Sequence, residues 1–458
     1  MPIETNTIRQ IPLAERHGRP RDLFAIWFGA NIMMLTVVTG ALAPTVYHLG
    51  LVQSCLALTL GNVVGGVFMA LHAAQGAELG VPQMVQTRAQ FGVLGANAVI
   101  ALVVLMYVGF VASNFVLGGE SLHALLGGLS ARAYIFVICA VSLVAAVYGH
   151  DVIHAYSKPL SFVAGGALVL CFGWVVGVHG VPRAVFAAGG FSAGGFLGAL
   201  SAGALWQIAY APYVSDYSRY LPPGSGAREA FWASYAGSVL GSVFPMILGV
   251  VLVMVAGVGD VTSAFGVCLG ALSFAVMPVF SLGIAAGSAM NIYCGVLSGV
   301  TVMQTFAPEW RARPVHRVVG SCVLAGVALV LAVFAAGDFM ETYTDFILLL
   351  LYVLVPWTAI NLVDFYLVRR GDYDVASFFR ADGGRYGRWD LGTLGCYGVG
   401  IVVQIPFVSN PLYTGWVARL LGGADVSWIV GLVVVGPLYW VMMRRRGEFG
   451  LDAVKRGV

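Results

Sequence analysis

The chain reads as an all-α polytopic membrane protein of about twelve transmembrane helices. Three observations predict this. Charged residues make up 10% and hydrophobic residues 59% of the 458 positions, and mean hydropathy is +0.88. A soluble domain carries about 25% charged residues, and only a bilayer tolerates so much apolar surface. Apolar runs of spanning length recur along the whole chain. The 24 Lys and Arg residues fall on one side of the map those runs define.

A spanning helix needs about 20 mostly apolar residues. Such runs lie at 22–47, 52–74, 96–126, 131–149, 158–179, 196–214, 231–257, 268–300, 316–336, 339–368, 389–409 and 426–443. The third, eighth and tenth are long enough to tilt or to extend past the lipid. With the N-terminus placed in the cytoplasm, 21 of the 24 basic residues fall in inside segments, and Arg132, Arg183 and Arg419 are the other three. Cytoplasmic loops carry the Lys/Arg excess, and one missed helix would scramble every later loop. The expectation is therefore an even helix count, an inner (plasma) membrane location and both termini inside. The 60 glycines suit close helix packing in lipid.

The map divides the chain into a cytoplasmic N-terminal segment (1–21), ten helices (22–368), a polar cytoplasmic loop (369–388), two further helices (389–443) and a cytoplasmic tail (444–458). A ten-helix core of two inverted five-helix halves would begin its repeats at the first and sixth spans. The first reads Trp27-Phe28-Gly29-Ala30-Asn31-Ile32-Met33-Met34, with Asn31 and Gly40 inside an apolar run. The sixth holds Trp206, Gln207, Tyr210 and Pro212. Proline removes a backbone donor and clashes with the preceding turn. Breaks at matching positions of two halves point to the substrate site of a transporter, because unwound backbone survives at depth only where it lines a cavity or meets a ligand. A plain proline kink relieved by neighbouring helices is the competing reading for the sixth span.

Six segments, in order, carry a resemblance: Trp27 to Pro44 (WFGANIMMLTVVTGALAP), Val108-Gly109-Phe110 with Asn114 and Gly118-Gly119, His154-Ala155-Tyr156-Ser157-Lys158, Val214 to Pro222 (VSDYSRYLP), Met290-Asn291-Ile292-Tyr293, and Pro356-Trp357 with Asp364-Phe365-Tyr366. The chain resembles the nucleobase:cation symporter-1 family, nearer its fungal-type purine-cytosine permease branch than the bacterial cytosine permeases. The resemblance implies a ten-helix inverted-repeat core, two extra helices and alternating access around a midplane site. It implies import of a nucleobase, cytosine or a purine, by symport with H+ or Na+. Another heteroaromatic solute (a hydantoin, allantoin, a vitamin) or an amino acid is the alternative cargo.

A flat ring edged with donors and acceptors calls for a stacking aromatic and amides. Phe110 falls where the family carries a stacking Trp. Tyr107 and Asn114 share its helical face, three before and four after it. Trp206, Gln207 and Tyr210 occupy the stretch of the second stacking aromatic, with Gln207 aligned at that position and Trp206 or Tyr210 reaching it after a small shift. Asn291, Asn31, Met33 and Met34 complete the candidates; for the methionines, plain packing is an equal reading. Asp216 and Arg219 sit at i and i+3, where the family places a pair, and read as a structural or gating ion pair.

A sodium site in this architecture would use backbone oxygens near Ala30 and Met33 and groups near Ala285 and Ser288, since hard cations take oxygen ligands. The stretch Ala285-Ala286-Gly287-Ser288 brings one hydroxyl, which favours protons. Glu120, Asp345 and Asp364 are the acidic candidates, because an ionisable residue inside a membrane helix is functional by default.

Other classes fit poorly. A net charge of +3 with scattered basic residues does not suit nucleic acid. The seven cysteines (Cys55, Cys139, Cys171, Cys268, Cys294, Cys322, Cys396) show no metal-type spacing. The eight histidines (His17, His48, His72, His123, His150, His154, His179, His316) mostly fall near loops, with no HExxH motif or Gly-x-Ser-x-Gly elbow. No enzyme, cofactor or metal centre is expected, and no selectivity-filter sequence suggests a channel.

Overall fold

A computed structural model describes residues 8–222, 226–335, 339–410 and 413–447, without the side chains at 150, 151, 154, 335, 339–348 and 351. Its main helices are α1 (Pro20–Asn31), α2 (Met34–Thr45), α3 (Leu51–Leu79), α4 (Ala96–Leu126), α5 (Ala131–Tyr148), α6 (His150–Trp174), α7 (Ala193–Ile208), α8 (Val214–Ser218), α9 (Gly226–Ala256), α10 (Val261–Leu269), α11 (Ser273–Phe306), α12 (Pro314–Ala335), α13 (Phe339–Val363), α14 (Leu391–Gln404) and α15 (Ser427–Arg446). Every apolar run of the sequence map holds a helix. Among the described residues, eight helices are long and apolar enough to cross a membrane, and the bent pair α1 and α2 makes a ninth. The fifth span starts earlier than the apolar pattern suggests, at His150, because Lys158 and Pro159 lie inside α6 rather than before it.

Small residues set the helix spacing. A methyl on Gly61 or Gly65 of α3 would overlap the backbone of Leu200 or Ala204 in α7. On α9, one on Gly237 or Gly241 would come within 2.6 or 2.7 Å of the Phe24 or Phe28 carbonyl, and one on Gly249 would overlap Val37 O. So α9 lies backbone to backbone along α1 and α2, and α3 does the same along α7. Close approach of this kind replaces the hydrophobic drive that lipid cannot supply.

Both suspected spans are broken. Between α1 and α2, Ile32 (φ −83°, ψ 80°) and Met33 (φ −142°, ψ 164°) are non-helical, and the axis turns by 59°. No proline acts here. The Asn31 amide turns back onto the Trp27 carbonyl at 2.6 Å. The Thr36 hydroxyl donates to the Asn31 carbonyl at 2.5 Å in place of a helical N–H. Gly283 of α11 lets that helix reach Ile32 O. The sixth span stops at Ile208, runs through turns around Pro212, and resumes as α8.

On the charged face, the segment after α13 folds over the 83–92 turn. Val93 N donates to Gly387 O at 3.1 Å and Asp390 N to Phe91 O at 3.0 Å. The Ser377 hydroxyl holds the Asp374 carboxyl below its usual range. Beneath this segment, Asp364 is fully buried. It accepts from Tyr373 OH (2.6 Å), Tyr439 OH of α15 (2.8 Å) and Gln90 Nε2 (3.0 Å), and pairs with Arg369 at 3.2 Å. Hydrogen bonds thus fill both carboxylate oxygens, which a buried charge requires. Arg88, also buried, donates to Thr301 O (2.6 Å) at the end of α11 and to Phe378 O (2.7 Å). Cationic donors suit a helix C-terminus.

Candidate substrate site at the two helix breaks

The breaks face α4 and α11, and side chains from all four elements converge. Helix ends leave N–H and C=O groups without helical partners, so α2 presents its first N–H groups and α1 its last carbonyls here. The Phe110 ring of α4 meets the Trp206 ring of α7 edge-on, with centroids 6.5 Å apart and planes at 86°. Trp206 is edge-on to Tyr210 at 6.1 Å. Phe110, Trp206, Leu350 and Leu354 help wall a cavity of about 10 Å³, room for about one water. A flat ring would fit here only after these side chains separate.

Asn31 positions the aromatic side. Its Oδ1 accepts from Trp206 Nε1 (2.7 Å), Tyr210 OH (2.7 Å) and Ser242 Oγ (2.8 Å). Its amide is therefore occupied, and it anchors both rings to the break. Gln207 points away from Phe110. It donates to Asn62 Oδ1 (2.8 Å) and Ser242 Oγ (3.1 Å) and accepts from Ser238 Oγ (2.6 Å). One position along a helix is a turn of 100°, so Trp206 and Gln207 serve different faces.

Two amides are not consumed. Among the described residues, Asn114 has no partner for Oδ1 or Nδ2, and Asn291 has none for Oδ1. Asn291 Nδ2 donates to Gly287 O at 2.9 Å. Gly287 lies between them and the break: a methyl there would sit 3.1 Å from Met33 Sδ and 3.8 Å from Asn114 Nδ2. Buried polar atoms are nearly always bonded, so an unbonded pair beside a helix break is the signature of a ligand or water position. Met34 and Tyr107 are fully buried, and Tyr107 packs edge-on against Tyr213 at 5.3 Å.

Below the site the path is closed by rings. Trp27 contacts Tyr210, Tyr213 and Tyr217 with centroids 5.1, 6.0 and 5.8 Å away. Asp216 and Arg219 are buried at this end. Asp216 accepts from Gln83 N at 2.9 Å, and Arg219 donates to Tyr293 OH at 3.2 Å. Among the ion candidates, Ser288 Oγ donates to Ile284 O at 2.9 Å within its own helix. Ala30 and Ala285 are buried, and Tyr156 OH reaches Ala286 O at 3.3 Å. Glu120 is half-buried, six residues beyond Asn114 on α4. The side chain of Asp345 lies outside the described residues.

The sequence reading missed Trp27, Asn62, Ser238, Ser242 and Gly287. Asn62 in an apolar run and the i, i+4 spacing of Ser238 and Ser242 were usable signals, since polar residues inside spans face the protein. Replacing Phe110 with Ala is expected to weaken binding of a flat heteroaromatic ligand roughly 5- to 150-fold, in line with about 1–3 kcal/mol for base stacking. Unchanged affinity in a scintillation-proximity assay on folded protein removes Phe110 from the site.

Comparison with known proteins follows the same direction. A family profile described as permease for cytosine/purines, uracil, thiamine and allantoin matches residues 10–431. A putative purine-cytosine permease of Bacillus subtilis is 38% identical over 461 residues, covering 97% of each chain. A purine-cytosine permease of Emericella nidulans is 25% identical over 457 residues, covering 95% of this chain and 87% of that one. A nucleobase-cation-symport-1 family transporter, solved closed with bromovinylhydantoin bound, superposes with a TM-score of 0.77 at 19% identity, covering 97% and 95% of the two chains. A sodium-coupled sialic acid symporter, solved substrate-bound and outward-open, gives 0.67 at 13% identity, covering 97% and 92%. The two solved structures are similar in fold.

Proposed function

Because this multi-pass membrane chain belongs to the family of permeases for cytosine/purines, uracil, thiamine and allantoin, we propose that it imports a nucleobase, cytosine or a purine, by cation symport through alternating access. The observation that carries this reading is the pair of unbonded amides, Asn114 and Asn291, set beside the aromatic pair Phe110 and Trp206. The rings supply a stacking face, and the amides read the edge of a neutral heterocycle. Asn291 gives one of its two amide hydrogens to Gly287 O, and its unbonded Oδ1 accepts from a substrate N–H. Asn114 donates and accepts. The groups at the break are aromatic, amide and thioether, which suits a neutral ring better than an amino acid.

On this reading, residues 22–368 form the transport core and 389–443 two added helices. The protein sits in the plasma membrane with both termini inside. The first and sixth spans rock as a unit, joined through Asn31 to Trp206 and Tyr210. Radiolabelled cytosine uptake into proteoliposomes, competed by adenine, uracil, allantoin and a hydantoin, tests the cargo. Saturable uptake of neither labelled cytosine nor labelled adenine overturns it, and a carrier that takes up only allantoin or a hydantoin does the same.

The coupling ion is a proton. Support comes from the stretch Ala285 to Ser288, where the one hydroxyl is committed to Ile284 O. Uptake is expected to persist in sodium-free buffer and collapse with a protonophore. Sodium-driven, protonophore-resistant uptake refutes proton coupling.

A further inference from the structure

We infer that His72 is a proton-binding site through which acidity on the inner side holds the inner half of the sixth span away from the protein. The inference rests on the transport reading and orientation above. His72 lies ten residues inward of Asn62 on α3, about 15 Å along the helix. It is fully buried. Its Nδ1 sits 2.8 Å from the Phe68 carbonyl, so Nδ1 carries the hydrogen and Nε2 keeps its lone pair. Among the described residues, Nε2 has no hydrogen-bond partner. The ring stacks on Trp357 of α13 at 5.0 Å and 25°.

The same residue holds α8. Ser215 Oγ lies 2.8 Å from the His72 carbonyl and also touches Gln83 Oε1. Further buried polar atoms on these elements lack protein partners: Gln75 Nε2, Gln86 Oε1, Thr358 Oγ1 and both amide atoms of Asn361. Groups of this kind are where internal water is held. The charged groups of the surrounding elements are engaged elsewhere or exposed. Asp364 is held by Arg369, Tyr373, Tyr439 and Gln90. Asp216 accepts from Gln83 N, Arg88 binds Thr301 O, and Arg16 binds Ala77 O. Glu78, Arg228 and Glu229 are exposed. Among the described residues, none of them bonds the imidazole.

A hydrated proton adds to the Nε2 lone pair and gives an imidazolium with two N–H donors. With α8 docked, the new donor meets no acceptor, and an uncompensated buried charge is unfavourable. With α8 undocked, the Ser215 side opens to water and the cation is hydrated. Protonation therefore favours the undocked arrangement, and re-docking returns the proton to the inner water. A ligand shifts an equilibrium toward the state that binds it better, so an acidic interior slows closure.

His72→Asn is the test variant, because Asn31, Asn62 and Asn291 all make the same bond to the carbonyl four residues back, and Asn does not titrate. Cys294, buried beside Tyr217 of α8 at 3.5 Å, reports docking. Inside-out vesicles carrying full-length protein are treated with a membrane-impermeant maleimide at about pH 7.5 and about pH 5.5, on either side of the histidine range. Peptide mass spectrometry reads Cys294 labelling. Wild type is expected to label at least about threefold faster than His72→Asn at the acidic pH and equally at the neutral pH. Equal labelling at both pH values overturns the inference, and His72→Gln repeats the comparison if the Asn variant is not folded. This readout uses no substrate, so it stands or falls separately from the cargo assay.

Discussion

Asn31→Ala is expected to abolish uptake and to lower thermal stability sharply. The Oδ1 atom takes hydrogen bonds from Trp206, Tyr210 and Ser242 at once. Alanine leaves three donors facing a void in a region with no lipid-side water to compensate. Each unsatisfied buried donor costs about 1–3 kcal/mol, so a loss of at least about 3 kcal/mol follows even after partial relaxation. The functional loss has a separate cause. Trp206 and Tyr210 lose the group that ties the sixth span to the break in the first, and the stacking wall drifts. Ser242→Ala removes one of the three donors to Asn31 together with one of the acceptors of Gln207 Nε2, and serves as control, with an expected cost of about 1–2 kcal/mol and retained uptake. Melting measured by fluorescence-detected size exclusion, beside cytosine uptake, checks both. An Asn31→Ala protein that melts and transports like wild type refutes the anchoring role.

Asn114→Leu moves stability and function in opposite directions. Both amide atoms of Asn114 are buried without partners. Replacing an unsatisfied polar group by an apolar one of similar shape is neutral or stabilising. The ligand-free variant should therefore melt at or above the wild-type temperature. Binding of cytosine should fall by roughly 5- to 150-fold, the loss of a bidentate amide contact worth about 1–3 kcal/mol. A destabilised variant with intact binding would place Asn114 in the packing rather than on the substrate.

The architecture was legible because lipid permits few alternatives: apolar run length and loop charge suffice to count rods. The break in the sixth span was legible for a local reason, since Pro212 cannot donate. The break in the first was visible only as polar residues in an apolar run. Its place at Ile32 and Met33 is set by Gly283 from α11 and by the Thr36 hydroxyl, contacts that a linear reading does not contain. Gln207 shows the same limit. Alignment set it at the aromatic position, while its partners Asn62, Ser238 and Ser242 hold it on a different face. His72 was read with the loop histidines but lies deep in α3, because the apolar run at 52–74 continues as helix to Leu79.

The Asp364 carboxylate has a consequence for how the chain is made. Tyr439, one of the groups that satisfies it, is 75 residues further on. Until the last rod has been synthesised, the buried acidic group at the end of α13 lacks one of its donors. Full satisfaction of that end therefore waits for the last rod, which makes the terminal pair a closing staple of assembly rather than a passive appendage.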